Sequence, residues 1–377
     1  MPQRKQAKTS KADQKPRGGK LTKSQLAKTL QSTDNEIVAL VNERAQLVQQ
    51  LAEMTAIIDD DSLMNLAGCP QAIEKLIQSN SGPLSESCIR AVLREVVSGS
   101  RALIRPLRIA FLGPKYSFSY LAALERFGEC VDFEPVTSIA AVFEEIERGN
   151  SQFGLVPIEN STDGRITDTL HMFASKPQRI CGEVQLRIHH NLLADCRRDE
   201  VTEVHSKPQA LSQCRSWLSK HLPQARWVET ASTTAAAETA AKSKGAAAIA
   251  SKPAGDHYGL KLLAGSIEDN PDNITRFAVI GEHQAGSSGN DKTSLMFELA
   301  HQPGALADAM NLFKRNQLNL TWIESFPMRG ATNEYVFFVE LEGHQSDPEV
   351  AKAVASLRKK AQRLKVLGSY ARSEPTK

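Results

Sequence analysis

The sequence lacks paired cysteines, long apolar runs and glycine-rich nucleotide motifs. None of its six cysteines stands in a C-x-x-C arrangement, and His189-His190 with Cys196 have no further ligand at a spacing typical of a metal site. No apolar run reaches the length of a membrane-spanning helix, and neither a P-loop nor a G-x-G-x-x-G motif follows a predicted strand. We therefore expect reduced thiols, no metal, no cofactor and no membrane contact.

A strong excess of charge of either sign is also missing. The formal net charge is +3 over 377 residues, so no domain has the basic surface that nucleic acid binding requires. Residues 1–20 are the exception, with seven Lys or Arg, one Asp and almost no apolar side chain. This composition predicts a disordered basic tail. Because the tail has no apolar h-region, we expect no secretory signal and a cytoplasmic protein.

Residues 21–105 have the pattern of an all-α domain. Apolar residues recur at helical spacing from about residue 22 to 57, without Pro or Gly, which predicts one long helix. Shorter helices are predicted over 70–78 and 85–104. Arg44 lies on the apolar stripe of the first helix, where a guanidinium needs an anionic partner. That helix is too long for so small a fold to cover, so a homodimer or higher homo-oligomer is expected.

After Pro106 the period of the apolar pattern changes. Short buried strands alternate with helices over residues 106–282, which predicts an α/β domain with a largely parallel sheet and with ligands at the carboxyl ends of its strands. Residues 283–291 have the composition of a flexible linker. Residues 292–372 follow the order βαββαβ, which predicts a small α+β module.

Polar residues cluster at four predicted strand ends, in segments 113–119, 157–164, 206–210 and 273–277. In the last segment Thr275 stands next to Arg276. Arginine binds a carboxylate through two parallel hydrogen bonds, and a hydroxyl can both donate and accept a proton. Together the two groups suit a site that holds a carboxylate and protonates a leaving hydroxyl. A surface pair at a strand end is the structural alternative.

These four segments, in this order, resemble the prephenate dehydratase family. Residues 22–370 as a whole resemble the bifunctional chorismate mutase–prephenate dehydratases, which end in a regulatory ACT domain. The resemblance implies a two-lobed α/β domain with its active site between the lobes. It also implies that prephenate, a dianion, loses carbon dioxide and water together to give phenylpyruvate in L-phenylalanine biosynthesis. Aromatisation of the ring drives that reaction, so no cofactor is implied.

The resemblance further implies roles for individual residues. Thr275 is the hydroxyl at the reacting centre, and Arg276 is the charge anchor beside it. Ser117 and Ser119 are N-cap hydroxyls at a helix end that suits a carboxylate. The other substrate-binding residues that it implies are Glu159, Asn160, Ser161, Gln209, Asn273 and Phe277. Some also have structural interpretations: an ion pair for Glu159, a plain N-cap for Ser119 and a helix start for Gln209.

This domain departs from the family pattern in three places. Lys207 replaces the usual His before Pro-Gln-Ala, and His205 replaces the usual Tyr. Tyr116-Ser117 replaces the usual Gly-Thr, which keeps a hydroxyl but adds a bulky ring. The Thr-Arg-Phe core is unchanged, so the departures concern the shape of the pocket.

The helical domain departs from the family much further. By position, only Arg44 and Ser100 of the mutase site remain, and the other site positions hold Ala27, Thr55, Gly68-Cys69 and Ile104. A chorismate dianion then has no cationic partner except Arg44. Each lost charged hydrogen bond costs about 1.5–3 kcal/mol. We therefore expect this domain to be a dimerisation scaffold with weak or absent mutase activity.

The C-terminal module carries the segments that line an effector site for L-phenylalanine in the family. The residues implied to bind the effector are Gly304, Ala305, Leu306, Asn319, Glu324 and Ser325. The family's Arg between this Ser and the following Pro is replaced by Phe326. Feedback by phenylalanine is the expectation.

Other functions fit parts of the same pattern. Arogenate dehydratase is the alternative within the enzyme class, since its substrate differs from prephenate only by an amino group in place of a keto oxygen. An inactive amino-acid-sensing regulator is the alternative from another class. A periplasmic-type solute binder is disfavoured by the missing signal peptide.

Overall fold

The computed structural model describes residues 21–55, 70–327 and 335–376. The chain divides into two compact units, residues 1–47 and residues 48–377. The predicted basic tail lies outside the described residues. Within the described ranges, no helix is both long and apolar enough to cross a membrane.

The described part of the first unit is helical. Helix α1 spans Lys23–Met54, close to the predicted long helix. Its start is capped by Thr22, whose Oγ1 accepts a hydrogen bond from the backbone N of Gln25 at 3.3 Å. The apolar side chains on this part of α1 are exposed, namely Leu26, Leu30, Ile37 and Leu40.

Two further helices, α2 (Pro70–Gln78) and α3 (Glu86–Ala102), open the described part of the second unit. Ser85 caps α3, since its Oγ accepts from the backbone N of Cys88 at 3.3 Å. Val48 and Val97 form a small buried core with Ile73 and Ile104. The predicted all-α region therefore has the expected helices.

The first lobe of the α/β domain is built on a mixed sheet with the strand order β2-β1-β3-β11-β5. Its elements are β1 (Arg108–Leu112), α4 (Phe118–Phe127), β2 (Asp132–Val136), α5 (Ile139–Glu147), β3 (Phe153–Asn160), β4 (Gly164–Arg165), α6 (Thr167–Ser175), β5 (Arg179–Arg187) and β11 (Ile274–Gly281). Strand β1 is parallel to β2 and β3, whereas β11 is antiparallel to β3 and β5. The prediction of a largely parallel sheet was wrong, because β11 enters this sheet from the opposite direction. The sheet of the second lobe also has one strand antiparallel to both of its neighbours.

The second lobe is inserted between β5 and β11. Its elements are β6 (Asn191–Ala194), a 3-10 turn (Arg198–Glu200), β7 (Glu203–Ser206), α7 (Pro208–Gln213), α8 (Arg215–His221), β8 (Arg226–Glu229), α9 (Thr233–Lys242), β9 (Ala246–Ala250), α10 (Lys252–His257) and β10 (Lys261–Ala264). The strand order is β10-β6-β9-β7-β8. The two connections to the first lobe lie side by side, since the backbone N of Ile188 donates to the carbonyl of Asn273 at 2.8 Å.

The sheet of the first lobe buries both of its faces. On one face Phe277 and Val279 of β11 pack with Ala122 and Phe127 of α4. On the other face Ala278 and Ile280 pack with side chains of α5 and α6, including Val142 and Phe173. Because successive side chains of a strand point to opposite faces, Thr275 belongs to the α4 face and Arg276 to the opposite face.

The C-terminal module has the predicted order βαββαβ. Its elements are β12 (Asp291–Glu298), α11 (Ala305–Arg315), β13 (Leu320–Pro327), β14 (Tyr335–Glu342), α12 (Pro348–Arg358) and β15 (Arg363–Ala371). The sheet order is β13-β14-β12-β15. Helices α11 and α12 cover one face of the sheet. The other face packs on the first lobe, where Phe326 and Tyr370 share a core with Ile180 and Phe173.

Short backbone contacts fix the C-terminal module to the first lobe. A Cβ atom added at Gly368 would overlap the carbonyl oxygen of Ile180, so the two backbones meet where only glycine fits. Beyond β15 the chain pairs with β5, since the backbone N of Thr376 donates to the carbonyl of Gln185 at 2.9 Å. The predicted linker contains a turn in which Asp291 Oδ2 accepts from the backbone N of Ser288 at 2.8 Å.

Candidate active site

Thr275 lies at the start of β11, opposite Asn160 at the carboxyl end of β3. Nδ2 of Asn160 donates to Oγ1 of Thr275 at 2.8 Å. Because an amide nitrogen only donates, Thr275 accepts in this bond and its own hydroxyl hydrogen points elsewhere. No acceptor for that hydrogen is present among the described residues. Thr275 is half-buried, so the hydrogen is available to a ligand.

Backbone groups fix the direction of the Asn160 amide. Its Oδ1 accepts from the backbone N atoms of Thr162 and Asp163 at 2.9 and 3.0 Å. Nδ2 must therefore face β11, where its second hydrogen goes to Oδ1 of Asn273 at 2.9 Å. Asn160 and Asn273 are both buried, so each lost bond would leave a polar group without water.

The same hydrogen-bonded chain continues into the second lobe through Gln213. Nδ2 of Asn273 donates to Oε1 of Gln213 at 3.0 Å, and Nε2 of Gln213 donates to Asp163 Oδ2 at 3.0 Å. Gln209, the residue predicted for this position, is exposed on the first turn of α7. Gln213 follows one helical turn later, so the spacing of four residues was the signal that could have identified it.

His190 is a second site residue that the sequence reasoning missed. Its Nε2 shares a hydrogen bond of 2.9 Å with Oε1 of Gln213. Because an amide oxygen only accepts, Nε2 carries the hydrogen of this bond, and burial lowers the pKa of His190 despite the opposing effects of Gln213 and Glu268. The His189-His190 doublet was considered only as a metal ligand, although it follows β5 directly and lies where the two lobes meet.

The predicted serines separate into different structural roles. Ser117 is the N-cap of α4, since its Oγ accepts from the backbone N of Tyr120 at 3.3 Å and donates to the carbonyl of Leu112 at 3.3 Å. Ser119 is not a cap, because it lies inside α4 and is buried. The hydroxyl of Ser161 joins two strands: it accepts from the backbone N of Ile274 at 2.9 Å and donates to the carbonyl of Asp272.

Arg276 points away from Thr275, and both terminal nitrogens of its guanidinium are engaged in ion pairs. Its guanidinium contacts Glu159 at 2.7 Å, Glu183 at 3.1 Å and Glu340 at 2.7 Å. Burial alone would lower its pKa, but the carboxylates of Glu340 and Glu183 outweigh this effect and raise it. The placement of Arg276 beside Thr275 as a substrate anchor was therefore wrong, because neighbouring residues of a strand face opposite sides. Glu159 follows its structural interpretation.

Phe277 and the three departures from the family pattern take no part in the hydrogen bonds that join Thr275, Asn160, Asn273 and Gln213 among the described residues. Phe277 is buried in the core against α4 rather than in the cleft. The ring of Tyr116 stacks on His257 of the second lobe, with centroids 4.2 Å apart. His205 is buried and its Nε2 lies 3.1 Å from Oε2 of Glu203, whereas Lys207 is exposed.

The residues predicted for a mutase site show local contacts of their own. Ser100 is buried and its Oγ donates to the carbonyl of Val96 at 2.7 Å. Thr55 likewise donates to the carbonyl of Leu51 at 2.9 Å. Arg44 belongs to the first compact unit, where partial burial lowers its pKa. Gly68-Cys69 lies outside the described residues.

The predicted effector residues divide between two faces of the C-terminal module. Gly304 has φ +83° and caps α11, with Ala305 and the exposed Leu306 following it. Asn319 and Ser325 are also exposed. Glu324 instead pairs with Arg165 of the first lobe at 2.5 Å.

Phe326 lies on the same face of β13 as Glu324. It is buried against the first lobe, with its ring 5.1 Å from that of His171. The departure from the family's Arg therefore falls on the interdomain face, while the exposed face of β13 keeps its polar Ser325.

The fold and site define a two-lobed α/β enzyme domain with a hydroxyl at the seam of its lobes, followed by a small α+β module. Family patterns match the same divisions: Chorismate mutase type II over residues 26–105, Prephenate dehydratase over residues 109–285 and ACT domain over residues 293–359. The chain is 38% identical to the bifunctional chorismate mutase/prephenate dehydratase of Stutzerimonas stutzeri, over 90% of this chain and 95% of that protein. The chain belongs to the bifunctional chorismate mutase/prephenate dehydratase family.

Solved structures resemble about two thirds or more of the chain. The prephenate dehydratase of Arthrobacter aurescens in complex with L-Phe has a TM-score of 0.65 and 32% identity, and the match covers 71% of this chain and 90% of that one. GqqA, described as a novel type of quorum quenching acylase, has a TM-score of 0.65 and 27% identity, with 71% of this chain and 98% of that one covered.

Proposed function

We propose that this chain is a prephenate dehydratase and that Thr275 donates the hydrogen that turns the leaving hydroxyl of prephenate into water. In this reaction the bond between the ring and its carboxylate breaks. Carbon dioxide leaves, and the electron pair of the broken bond enters the ring. The hydroxyl leaves from the ring, takes up the proton of Thr275 and departs as water, and Thr275 regains a proton from solvent. The product is phenylpyruvate, and one proton is consumed.

The hydrogen bond from Asn160 Nδ2 to Thr275 Oγ1 carries this proposal. It occupies a lone pair of the threonine oxygen at 2.8 Å and leaves the hydroxyl hydrogen free for the substrate. The same bond stabilises the negative charge that develops on the oxygen as its hydrogen moves away. Thr275 is a weak acid by itself, so the preorganised amide is what makes the transfer feasible.

The substrate's carboxylates need other partners, because Arg276 is unavailable to them. The N-terminus of α4, capped by Ser117, presents backbone N–H groups and the positive end of a helix dipole. Helix α4 packs on the same face of the sheet to which Thr275 belongs. We assign one substrate carboxylate to this helix end, with Ser117 as its nearest hydroxyl.

The test is the formation of phenylpyruvate from prephenate by the full chain and by Thr275→Val and Thr275→Ser. General acid catalysis is worth about 10²–10⁴ in rate, so Thr275→Val should lose activity on that scale, whereas Thr275→Ser should keep most of it. Wild-type activity in Thr275→Val would refute the role. No activity in any of the proteins, on prephenate or arogenate, would favour an amino-acid-sensing regulator. A higher rate on arogenate would identify an arogenate dehydratase.

We propose that the mutase-like domain is a scaffold without appreciable mutase activity. Support comes from Ser100 and Thr55, whose hydroxyls donate to carbonyls of their own helices, and from Ala27, which has no charge to offer. Incubation with chorismate is the test. A turnover similar to that of the dehydratase reaction would refute the proposal.

We propose a cytoplasmic homodimer or higher homo-oligomer formed through the helical and ACT domains. The exposed apolar side chains of α1, including Leu30 and Leu40, support association through the helical domain. Light scattering during size-exclusion chromatography of the full chain should show more than one copy, and Leu30→Glu with Leu40→Glu should reduce the mass. A monomer in the wild type would refute this assignment.

L-Phenylalanine is proposed as the effector of the ACT module. Support comes from the related dehydratase solved with L-Phe and from the open surface at Gly304, where an added Cβ meets no atom within 4 Å. The exposed Asn319 and Ser325 offer polar groups for an amino acid. Phenylalanine should inhibit phenylpyruvate formation and raise the unfolding temperature. A titration without either change would refute it.

A further inference from the structure

The strand pairing beside Thr275 contains a shift of one residue. Thr275 pairs with Asn160 and Arg276 with Glu159, but Phe277 pairs with Pro157, so Ile158 is an extra residue in β3. Such a bulge changes the direction of nearby side chains. With the register of Phe277 continued, Thr275 would lie opposite Glu159 instead of Asn160. The proposed catalytic hydrogen bond therefore depends on this bulge.

Arg276 lies on β11 opposite the bulge, and the ACT module holds its side chain. Glu340 of β14 contacts the guanidinium with both carboxylate oxygens, at 2.7 and 3.0 Å, and its own side chain is 0% exposed. Trp322 of β13 places its ring centroid 5.4 Å from the guanidinium carbon. Glu340 and Trp322 of the ACT module therefore both contact the side chain of Arg276 on β11.

The position of Glu340 is fixed in turn. Its Oε1 accepts from the hydroxyl of Tyr370 at 3.0 Å and from Oγ of Ser294 at 3.3 Å. Lys292 of the same module pairs with Glu183, the other buried carboxylate on Arg276. A buried ion-pair cluster of this kind has one well-defined arrangement, since a displaced charge would lose its partner without gaining water.

We propose that Glu340 of the ACT module is a positioning residue for the dehydratase reaction: through Arg276 it holds the bulge that sets Thr275 opposite Asn160. The proposal rests on the function assigned to Thr275 above. Glu340 contacts the strand on the face opposite to the cleft, so it does not touch the substrate. A movement of β14 relative to the first lobe would displace the guanidinium of Arg276 and, through β11, the hydroxyl of Thr275.

The first test compares Glu340→Gln with Lys365→Met in the full chain. Lys365 also joins the ACT module to the first lobe, since its Nζ donates to carbonyls of Phe173 and Lys176, but it does not contact Arg276. Misplacing a reacting group by about 1 Å can cost about 100-fold in rate. We expect kcat to fall about 10- to 100-fold in Glu340→Gln, with KM within about twofold of the wild type, and kcat to stay near wild type in Lys365→Met.

A second variant keeps the charge in case Glu340→Gln does not fold. Glu340→Asp retracts the carboxylate by one methylene, so it should fold and show a smaller loss of kcat at unchanged KM. A wild-type kcat in folded Glu340→Gln, or in Glu340→Asp where the first variant is unfolded, would overturn the proposal. Equal losses in Glu340→Gln and Lys365→Met would also overturn it, because they would reflect domain docking in general. An inactive wild type would overturn the proposed function as well, whereas an active wild type with an unaffected Glu340 variant would overturn this inference alone.

Discussion

The two faces of strand β11 are built from different chemistry. Behind Thr275 the partners are neutral amides, led by Asn160 and Asn273. Behind Arg276 the partners are carboxylates, led by Glu183 and Glu340. Amides give a hydrogen bond a direction without adding charge next to Thr275. The carboxylates that bind Arg276 lie on the other face, where the ACT module supplies Glu340 and the cation Lys292.

The largest expected effect comes from reversing the direction of the hydrogen bond between Asn160 and Thr275. In Asn160→Asp the side chain keeps its shape, but the carboxylate only accepts, so Thr275 must donate its hydrogen inward. Activity should fall by about 10²–10³, within the range for loss of general acid catalysis. Steady-state kinetics of phenylpyruvate formation measure this. A folded Asn160→Asp variant with normal kcat would show that the direction of this bond is irrelevant.

The next largest effect concerns the packing of the ACT module against the first lobe. In Gly368→Ala the new methyl group would overlap the carbonyl of Ile180, and overpacking of this kind costs about 1–3 kcal/mol. Gly286→Ala is the matched control, since an added Cβ there meets no atom within 4 Å. Denaturant unfolding should show a loss of stability in the first variant only. Equal stabilities would mean that the ACT module is not held by this backbone contact.

A smaller effect distinguishes two glutamines on one helix. Gln213→Ala removes the partner of Asn273 and His190, and a lost buried hydrogen bond costs about 1–3 kcal/mol. We expect kcat/KM to fall about tenfold, at the lower end of that range. Gln209→Ala, one turn earlier and exposed, should be neutral. A larger loss in Gln209→Ala than in Gln213→Ala would instead support Gln209, the residue predicted from the sequence.

The smallest effect is a pH dependence of stability on the charged face. Burial would raise the pKa of Glu183, but Arg276 and Lys292 outweigh it and lower the pKa below 4.5, the value without the protein environment. Ionised Glu183 therefore contributes stability above pH 4.5, and this contribution is lost as the pH falls through the folded pKa. Unfolding measured at neutral pH and below pH 4.5 should show a smaller acid loss in Glu183→Gln than in the wild type. An equal loss of stability in acid for the wild type and Glu183→Gln would contradict this role of Glu183.

Element order was predictable because it depends on local patterns. The helical period before Pro106 and the βαββαβ pattern after residue 291 both appear in the structure. The direction of β11 was not predictable in the same way, since nothing local in its sequence shows that the chain returns from an inserted lobe. The antiparallel pairing of Thr275 with Asn160 follows from that return.

The segments that meet at the candidate site were easier to predict than the directions of their side chains. Thr275, Asn160 and Asn273 do meet, and their hydrogen bonds confirm that these segments lie together. Arg276 was placed on the wrong side because adjacency in sequence was treated as adjacency in space. Gln213 and His190 were missed, since their contribution depends on a contact between two lobes that only the three-dimensional structure shows.

The insertion of the second lobe also determines the order in which a ribosome supplies the two hydrogen-bonded residues of the candidate site. Asn160 leaves the ribosome first, and the strand that carries Thr275 follows only after the whole inserted lobe. The first lobe must therefore wait for a central strand of its sheet, and Glu340 arrives later still. Because domains form as units during synthesis, a nascent chain cannot assemble this centre early, and prephenate should meet a competent enzyme only once translation is nearly complete.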